Sequence, residues 1–137
     1  MSAKSTVDDA VTMALRYAGI DFAKVWDLEV LAPGGTGLAR YDWLHLHHED
    51  FTGQYSKFYL TYAGAPWLAE MVERNTAIAR ALGFSSVPAE KRAVAEAIAA
   101  YVHQGGFLFA MCAATETLDL ALAGAGGCVC ATPTGSM

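Results

Sequence analysis

Apolar residues recur at helical spacing in some stretches of the chain and at strand-like spacing in others. Helical spacing predicts helices over 5–18, 66–82 and 88–104, each followed by glycine. Alternation over 41–47 predicts a strand with Trp43, His45 and His47 on one face. The apolar run 107–111 predicts a strand buried on both faces. Residues 22–26 also have strand-like content, 28–31 form a short apolar run, and 51–62 predict either a lid or a short irregular helix.

Cys112 stands between the apolar run 107–111 and the Ala- and Leu-rich segment 113–123, which we predict to be a helix. The thiol would then lie at a sharp strand-to-helix turn, beside the free N–H groups of the helix. That position favours the thiolate and resembles a nucleophile elbow. Glycines at 105–106 and alanines at 113–114 would permit a tight turn. The alternative is a buried, unreactive cysteine.

The order of the predicted elements indicates an α/β fold: an open, mostly parallel sheet with helices on both faces. Ligands of such sheets bind beyond the carboxyl ends of the strands. The polar run 47–50 and Cys112 both follow predicted strands, so we expect them at the same edge. The α/β domain is predicted to span residues 1–123, and 124–137 to be a glycine-rich C-terminal tail or the stub of a further strand.

These residue types predict acyl chemistry on a small amide. Cys112 would attack the carbonyl, while N–H groups at the start of the following helix bind the oxyanion. His47 or His48 would act as the base, with Glu49 or Asp50 orienting it. The predicted substrate-binding residues are Asp50, Tyr55, Ala113, Thr115 and Glu116. A non-catalytic domain that binds a ligand, such as a carbohydrate, is the alternative.

The same polar run permits two other interpretations. Its side chains could cap strand and helix ends as a hydrogen-bonded rim. They could also bind a metal together with His45, but three histidines within four residues of an extended strand cannot all face one centre, so no metal is predicted. His45 is more simply a buried, hydrogen-bonded residue. Glu116 and Asp119 also suit the start of a helix as charges, and Cys128 and Cys130 lack a second ligand pair for zinc.

Composition excludes several classes of partner. The chain has 137 residues, 54% of them hydrophobic, and a net charge of -5 without a basic cluster. Nucleic acid and membrane are therefore not expected as partners. No signal peptide is evident, and three cysteines do not suggest a disulfide framework, so we expect a reduced, cytoplasmic chain. We expect no cofactor and a small amide or a sugar-like ligand. The aromatic segment 51–62 could bind that ligand, pack against missing segments of a longer chain, or form a homo-oligomer.

Three stretches carry a resemblance to a known family: 41–55, the helix that begins near Pro88 and ends before Gly105, and 107–120. Together they resemble the class I glutamine amidotransferase-like superfamily, and within it a bacterial family labelled asparagine synthetase B. The resemblance implies a flavodoxin-like fold with Cys112 as the elbow thiol. Family members place a histidine and a glutamate downstream of that cysteine, whereas all four histidines here precede it. It therefore implies a partial copy with a differently placed base. ATP-dependent asparagine synthesis is not expected, because residue 2 is serine and no pyrophosphate loop is present.

Overall fold

The computed structural model describes residues 10–32 and 37–125, which form a mixed α/β fold with six helices and one two-stranded parallel sheet. The elements are α1 (Ala10–Tyr17), α2 (Asp27–Val30), β1 (Trp43–His47), α3 (Ser56–Tyr62), α4 (Pro66–Ala81), α5 (Val87–His103), β2 (Phe107–Met111) and α6 (Ala113–Ala125). Residues 5–9 of the predicted first helix, Cys128, Cys130 and nearly all of the predicted tail 124–137 lie outside the described residues. Within the described ranges, no helix is both long enough and apolar enough to cross a membrane.

Strands β1 and β2 pair in parallel from Trp43 opposite Phe107 to His47 opposite Met111. The predicted strands at these positions and their parallel pairing are therefore confirmed, but two strands are too few to show the predicted open sheet. The prediction that β2 is buried on both faces is wrong, because Phe107 and Phe109 on one face are 62% and 46% exposed. Because side chains alternate along a strand, each face of the sheet takes every second residue from both strands. One face contributes Leu44, Leu46 and Leu108 to the main core. The opposite face carries half-exposed aromatic rings, among them Trp43 and Phe109.

Helices α5 and α6 cover the inner face of the sheet. The apolar stripe of α5 buries Val94, Ile98 and Tyr101, and the first turns of α6 bury Ala114 and Leu118 in the same cluster. The sequence pattern predicts Val94, Ile98, Tyr101 and Val102 as this stripe; the first three are confirmed, whereas Val102 is 40% exposed at the last turn of the helix. Since β2 follows α5 and leads directly into α6, this packing fixes both ends of the strand that precedes Cys112.

The segment 22–26 does not form the predicted strand; it has no regular secondary structure. Phe22 and Trp26 are 38% and 56% exposed, whereas Val25 packs against the main core, and no strand among the described residues pairs with the segment. The next apolar run, 28–31, lies in α2 and in the residue that follows it. At the start of α2, the backbone N–H of Trp26 donates a hydrogen bond to Glu29 Oε2 at 2.9 Å. Val30 and Leu31 pack against the main core.

The segment 51–62 contains the short helix α3, one of the two predicted alternatives. Next to it, α4 begins with Pro66 in its first turn and is followed by Gly83 at φ +84°. A second, smaller core lies beneath these helices and is formed by Tyr55, Leu68, Ala79 and Val87.

Candidate active site

Cys112 lies between the last residue of β2 and the first residue of α6, as the sequence predicts. Its backbone has φ +56°, a conformation that residues with a Cβ adopt at a cost of about 1–2 kcal/mol. The turn is closed by a hydrogen bond from the N–H of Thr115 to the carbonyl of Cys112 at 3.1 Å. The thiol is free and exposed. A residue with positive φ between strand and helix that presents its side chain to solvent resembles a nucleophile elbow in geometry.

His48 occupies the equivalent position after the neighbouring strand. His47 pairs with Met111 as the last residue pair of the sheet, so His48 and Cys112 each follow by one residue. His48 also has a positive φ, of 58°. Consecutive side chains of a strand point to opposite faces, but β1 ends at His47 and the left-handed backbone of His48 departs from that alternation. The rings of His47 and His48 consequently lie together, with centroids 3.8 Å apart.

The structure brings Cys112, His47 and His48 together. One ligand atom of each side chain, an imidazole nitrogen or the sulfur, lies within 4.8 Å of the other two. His47 is half-buried, whereas His48 and Cys112 are exposed. His45 does not belong to this group; its half-buried ring stacks on Trp43 and contacts the edge of Phe109. We expected the two sequence stretches at the same edge of the sheet, and this is confirmed for these three residues.

Thr117 connects the two halves of this site. Its hydroxyl lies 2.9 Å from the carbonyl oxygen of Glu49 and 2.9 Å from that of Ala113, and can donate to either. The first carbonyl follows His48 by one residue and the second follows Cys112 by one residue. Thr117 is buried, so this contact fixes the loop after β1 against the first turn of α6.

The Oε1 atom of Glu49 contacts a lysine on α5 rather than a histidine. This oxygen lies 2.7 Å from Nζ of Lys91, which is also 2.7 Å from Oδ2 of Asp27. Burial alone would lower the pKa of Lys91, but the carboxylates of Glu49 and Asp27 outweigh it and raise that pKa. The glutamate predicted as a catalytic residue therefore ties the loop to α5.

Asp50 likewise serves its own loop. Its Oδ1 accepts hydrogen bonds from the backbone N–H of Thr52 at 2.9 Å and from the hydroxyl of Thr52 at 2.6 Å. These two bonds form a local turn between β1 and α3. The prediction that Asp50 binds substrate or orients the base has no support in these contacts.

Glu90 is buried beside the same lysine. Burial raises the pKa of Glu90 to about 7, and the nearby Asp27 carboxylate acts in the same direction while Lys91 opposes it. Its Oε1 has no hydrogen-bond partner among the residues that the structure describes. Three carboxyl groups thus surround one ammonium group beneath the candidate site.

The remaining residues predicted to bind substrate divide into two groups. Tyr55 is only 7% exposed, belongs to the second core and accepts a hydrogen bond from Asn75 Nδ2 at 2.6 Å, so it is a structural residue. Ala113 forms the first turn of α6 next to the thiol. Thr115 and Glu116 are exposed and line a shallow groove along α6.

An apolar groove of about 540 Å³ runs between α1 and the open face of the sheet. Its lining is almost entirely hydrocarbon and aromatic. The residues that line it are Ala10, Val11, Ala14, Leu15, Ala18, Ile20, Trp43, His45, Phe109 and Met111. Met111 directly precedes Cys112, and His45 shares a strand face with His47. The groove therefore reaches residues adjacent to the thiol and to His47, although Cys112, His47 and His48 are not among its lining residues.

Sequence reasoning missed Thr117, Lys91 and Glu90. A signal for Glu90 is present, because it precedes Val94 by one helical turn on the apolar stripe of α5, where a charge is out of place. The partners of Lys91 could not be predicted from a local pattern, because Glu49 and Asp27 lie 42 and 64 residues away in sequence.

Comparison with family models, with curated proteins and with solved structures finds no match for this chain. The resemblance to class I amidotransferase-like proteins therefore stays a prediction.

Proposed function

We propose that this protein is a cysteine-dependent acyl-transfer enzyme of the amidohydrolase or amidotransferase type, built on a flavodoxin-like fold. One observation carries the proposal: Cys112, strained at a strand-to-helix turn, has two imidazoles within 4.8 Å of its sulfur. A thiol, a neighbouring base and the start of a helix are the elements of nucleophilic catalysis on a carbonyl.

The proposed reaction begins when His47 or His48 accepts the thiol proton. The sulfur of Cys112 attacks the carbonyl carbon, and the C–O π electrons move onto oxygen. The N–H groups of Ala113 and Ala114 lie in the first turn of α6, where a helix offers them no internal acceptor, and they are suited to bind this oxyanion. Collapse of the intermediate breaks the bond to the leaving group, to which the imidazolium returns the proton. Water then hydrolyses the thioester by the same route.

Because Oε1 of Glu49 and Oδ1 of Asp50 have other partners, we propose a Cys–His pair in which the orienting role is not assigned to either of these carboxylates. The contact between the rings of His47 and His48 would orient the active imidazole instead. Such a pair provides the two groups that acylation requires, a nucleophile and a base.

The apolar groove supports an acyl group of hydrocarbon character in preference to a polar glutamine or sugar. A volume of about 540 Å³ is within the usual range for small-molecule sites. The groove leads to Met111, next to the nucleophile, so a bound chain would place its carbonyl at the sulfur.

Acylation with p-nitrophenyl esters of increasing chain length tests the proposal. We use a Cys128→Ser/Cys130→Ser background, in which Cys112 is the only thiol. We expect a burst of nitrophenol, one acyl group on Cys112 by mass spectrometry, and faster acylation by butyrate than by acetate. Cys112→Ala should abolish the burst, and removing the base through His47→Ala or His48→Ala should slow it about 10²-fold or more.

Two controls separate catalysis from general reactivity. His103→Ala removes an exposed histidine at the end of α5 and should leave the burst unchanged. Free cysteine provides the rate of an unassisted thiol. A parent protein that reacts no faster than free cysteine would contradict the proposal and favour a non-catalytic ligand-binding domain.

A further inference from the structure

We propose that His47, His48 and Cys112 form a binding site for a thiophilic divalent metal ion, Zn²⁺, and that this ion reversibly blocks the thiol. The three side chains supply two imidazole nitrogens and one sulfur, the ligand types that zinc prefers. Their ligand atoms lie within 4.8 Å of one another. The effect on acyl transfer rests on the proposed function, whereas binding of the ion does not.

The spacing suits a small ion. With bond lengths of about 2.0–2.1 Å to nitrogen and 2.3 Å to sulfur, tetrahedral ligands are separated by roughly 3.3–3.6 Å. The ligand atoms must therefore approach one another by at most about 1.2–1.5 Å, counted from the upper limit of 4.8 Å. His48 and Cys112 are exposed and can make that adjustment by rotating their side chains.

The backbone conformation allows His47 and His48 to face one ion, which neighbouring residues of an extended strand cannot do. Neighbouring histidines of a strand face opposite sides, but the strand ends at His47 and His48 has φ +58°. The two rings converge as a result. The positive φ of Cys112 brings the third ligand from the adjacent strand, so two strained residues hold the ligand set together.

Three protein ligands leave the fourth position of a tetrahedral ion open to solvent, which is the arrangement of an accessible rather than a structural zinc site. On binding, the thiol releases its proton to solvent and a Zn–S bond forms. The sulfur electron pair that would attack a carbonyl is then engaged by the metal. An ion bound here would thus keep the enzyme inactive until a chelator or a competing site removed it.

Cobalt provides a direct spectroscopic test with the 137-residue chain. We titrate Co²⁺ into the reduced Cys128→Ser/Cys130→Ser protein, so that neither of those thiols can contribute. We expect one ion per chain, a thiolate-to-cobalt charge-transfer band and displacement by Zn²⁺. Replacement of Cys112, His47 or His48 by alanine should weaken binding by more than the roughly 10–100-fold that changes around a metal site cost. His103→Ala should bind as the parent does.

Protection from alkylation provides a second readout that needs no substitution at the site. Saturating Zn²⁺ should slow the reaction of Cys112 with iodoacetamide about tenfold or more, because the metal-bound sulfur is a poor nucleophile. EDTA should restore the original rate. Absence of a charge-transfer band, or equal binding by Cys112→Ala, would overturn the metal site whether or not the protein transfers acyl groups. Conversely, metal binding by a protein without esterase activity would leave the site intact and contradict only the proposed function.

Discussion

Nζ of Lys91 lies 2.7 Å from Oε1 of Glu49, and Glu49 directly follows His48. The contact holds the loop after β1 against α5. The Lys91 side chain is only 5% exposed, so its ammonium group is shielded from water. Through this ion pair, the stability of the core is connected to the position of the histidines.

Lys91→Met should therefore destabilise the protein. The substitution leaves the carboxylates of Asp27 and Glu49 without their shared cation; because these side chains are 20% and 43% exposed, the cost should be about 1–2 kcal/mol, below that of a fully buried pair. Urea unfolding followed by circular dichroism measures the change. Arg92→Met, an exposed neighbour on the same helix, should change stability by about 0.5 kcal/mol or less. Equal effects of the two substitutions would contradict the role given to Lys91.

Glu90 should make the protein less stable as the pH rises. Its pKa is about 7 in the folded protein and near 4.5 in the unfolded chain, so the folded state binds the extra proton between these values. The contribution of protonated Glu90 to the free energy of unfolding is fully present below about pH 4.5 and is lost as the pH rises through about 7. Glu90→Gln mimics the protonated form and removes this dependence.

The comparison requires unfolding curves of both proteins across that range. At about pH 5 the two should be similarly stable, whereas at about pH 8 Glu90→Gln should be more stable, by on the order of 2 kcal/mol. If the difference between the two proteins is the same at both pH values, Glu90 is ionised throughout and this account is wrong.

His48→Gly should be more stable than His48→Ala. At an ordinary backbone position glycine is less stable than alanine by about 0.5–1 kcal/mol. At φ +58° the Cβ of alanine costs about 1–2 kcal/mol, which reverses the order. Ala100→Gly, at an exposed position within α5, should instead lose about 1 kcal/mol. Thermal unfolding of these variants decides whether His48 has the left-handed conformation that brings the two rings together.

Tyr55→Phe should reduce stability without affecting acylation. The change removes the acceptor of the Asn75 side chain, at a cost of about 1 kcal/mol. Because the hydroxyl is engaged in the second core, the rate of acylation of Cys112 should equal that of the parent. A large loss of acylation with unchanged stability would restore Tyr55 as a substrate-binding residue. The double variant with Asn75→Ala should cost less than the sum of the single changes.

The sequence was sufficient to predict the features that depend on local pattern. Strict alternation identified β1, the apolar run identified β2, and the composition after Cys112 identified α6. Chain order then indicated parallel pairing and a shared edge, which placed Cys112 near His47 and His48.

Other features depend on contacts between distant parts of the chain and could not be predicted. Nothing local to Glu49 indicates that it pairs with Lys91, 42 residues later. The positive φ of His48 arises where the loop turns back toward α6, so the convergence of the rings was also hidden. The segment 22–26 has strand-like residues, but within 10–32 and 37–125 no strand lies beside it. Because β-propensity describes the fit to a sheet surface and not an intrinsic preference, such residues alone do not form a strand.

The exposure of the indole rings determines how this protein can be observed by fluorescence. The chain has three tryptophans, and Trp26, Trp43 and Trp67 are 56%, 46% and 45% exposed in the folded state. Because each ring is already about half exposed, we expect denaturation to shift their emission less than it would shift the emission of buried indoles. A molecule that occupies the groove would cover Trp43 and shift its emission to the blue, which makes intrinsic fluorescence a detector of ligands rather than of folding.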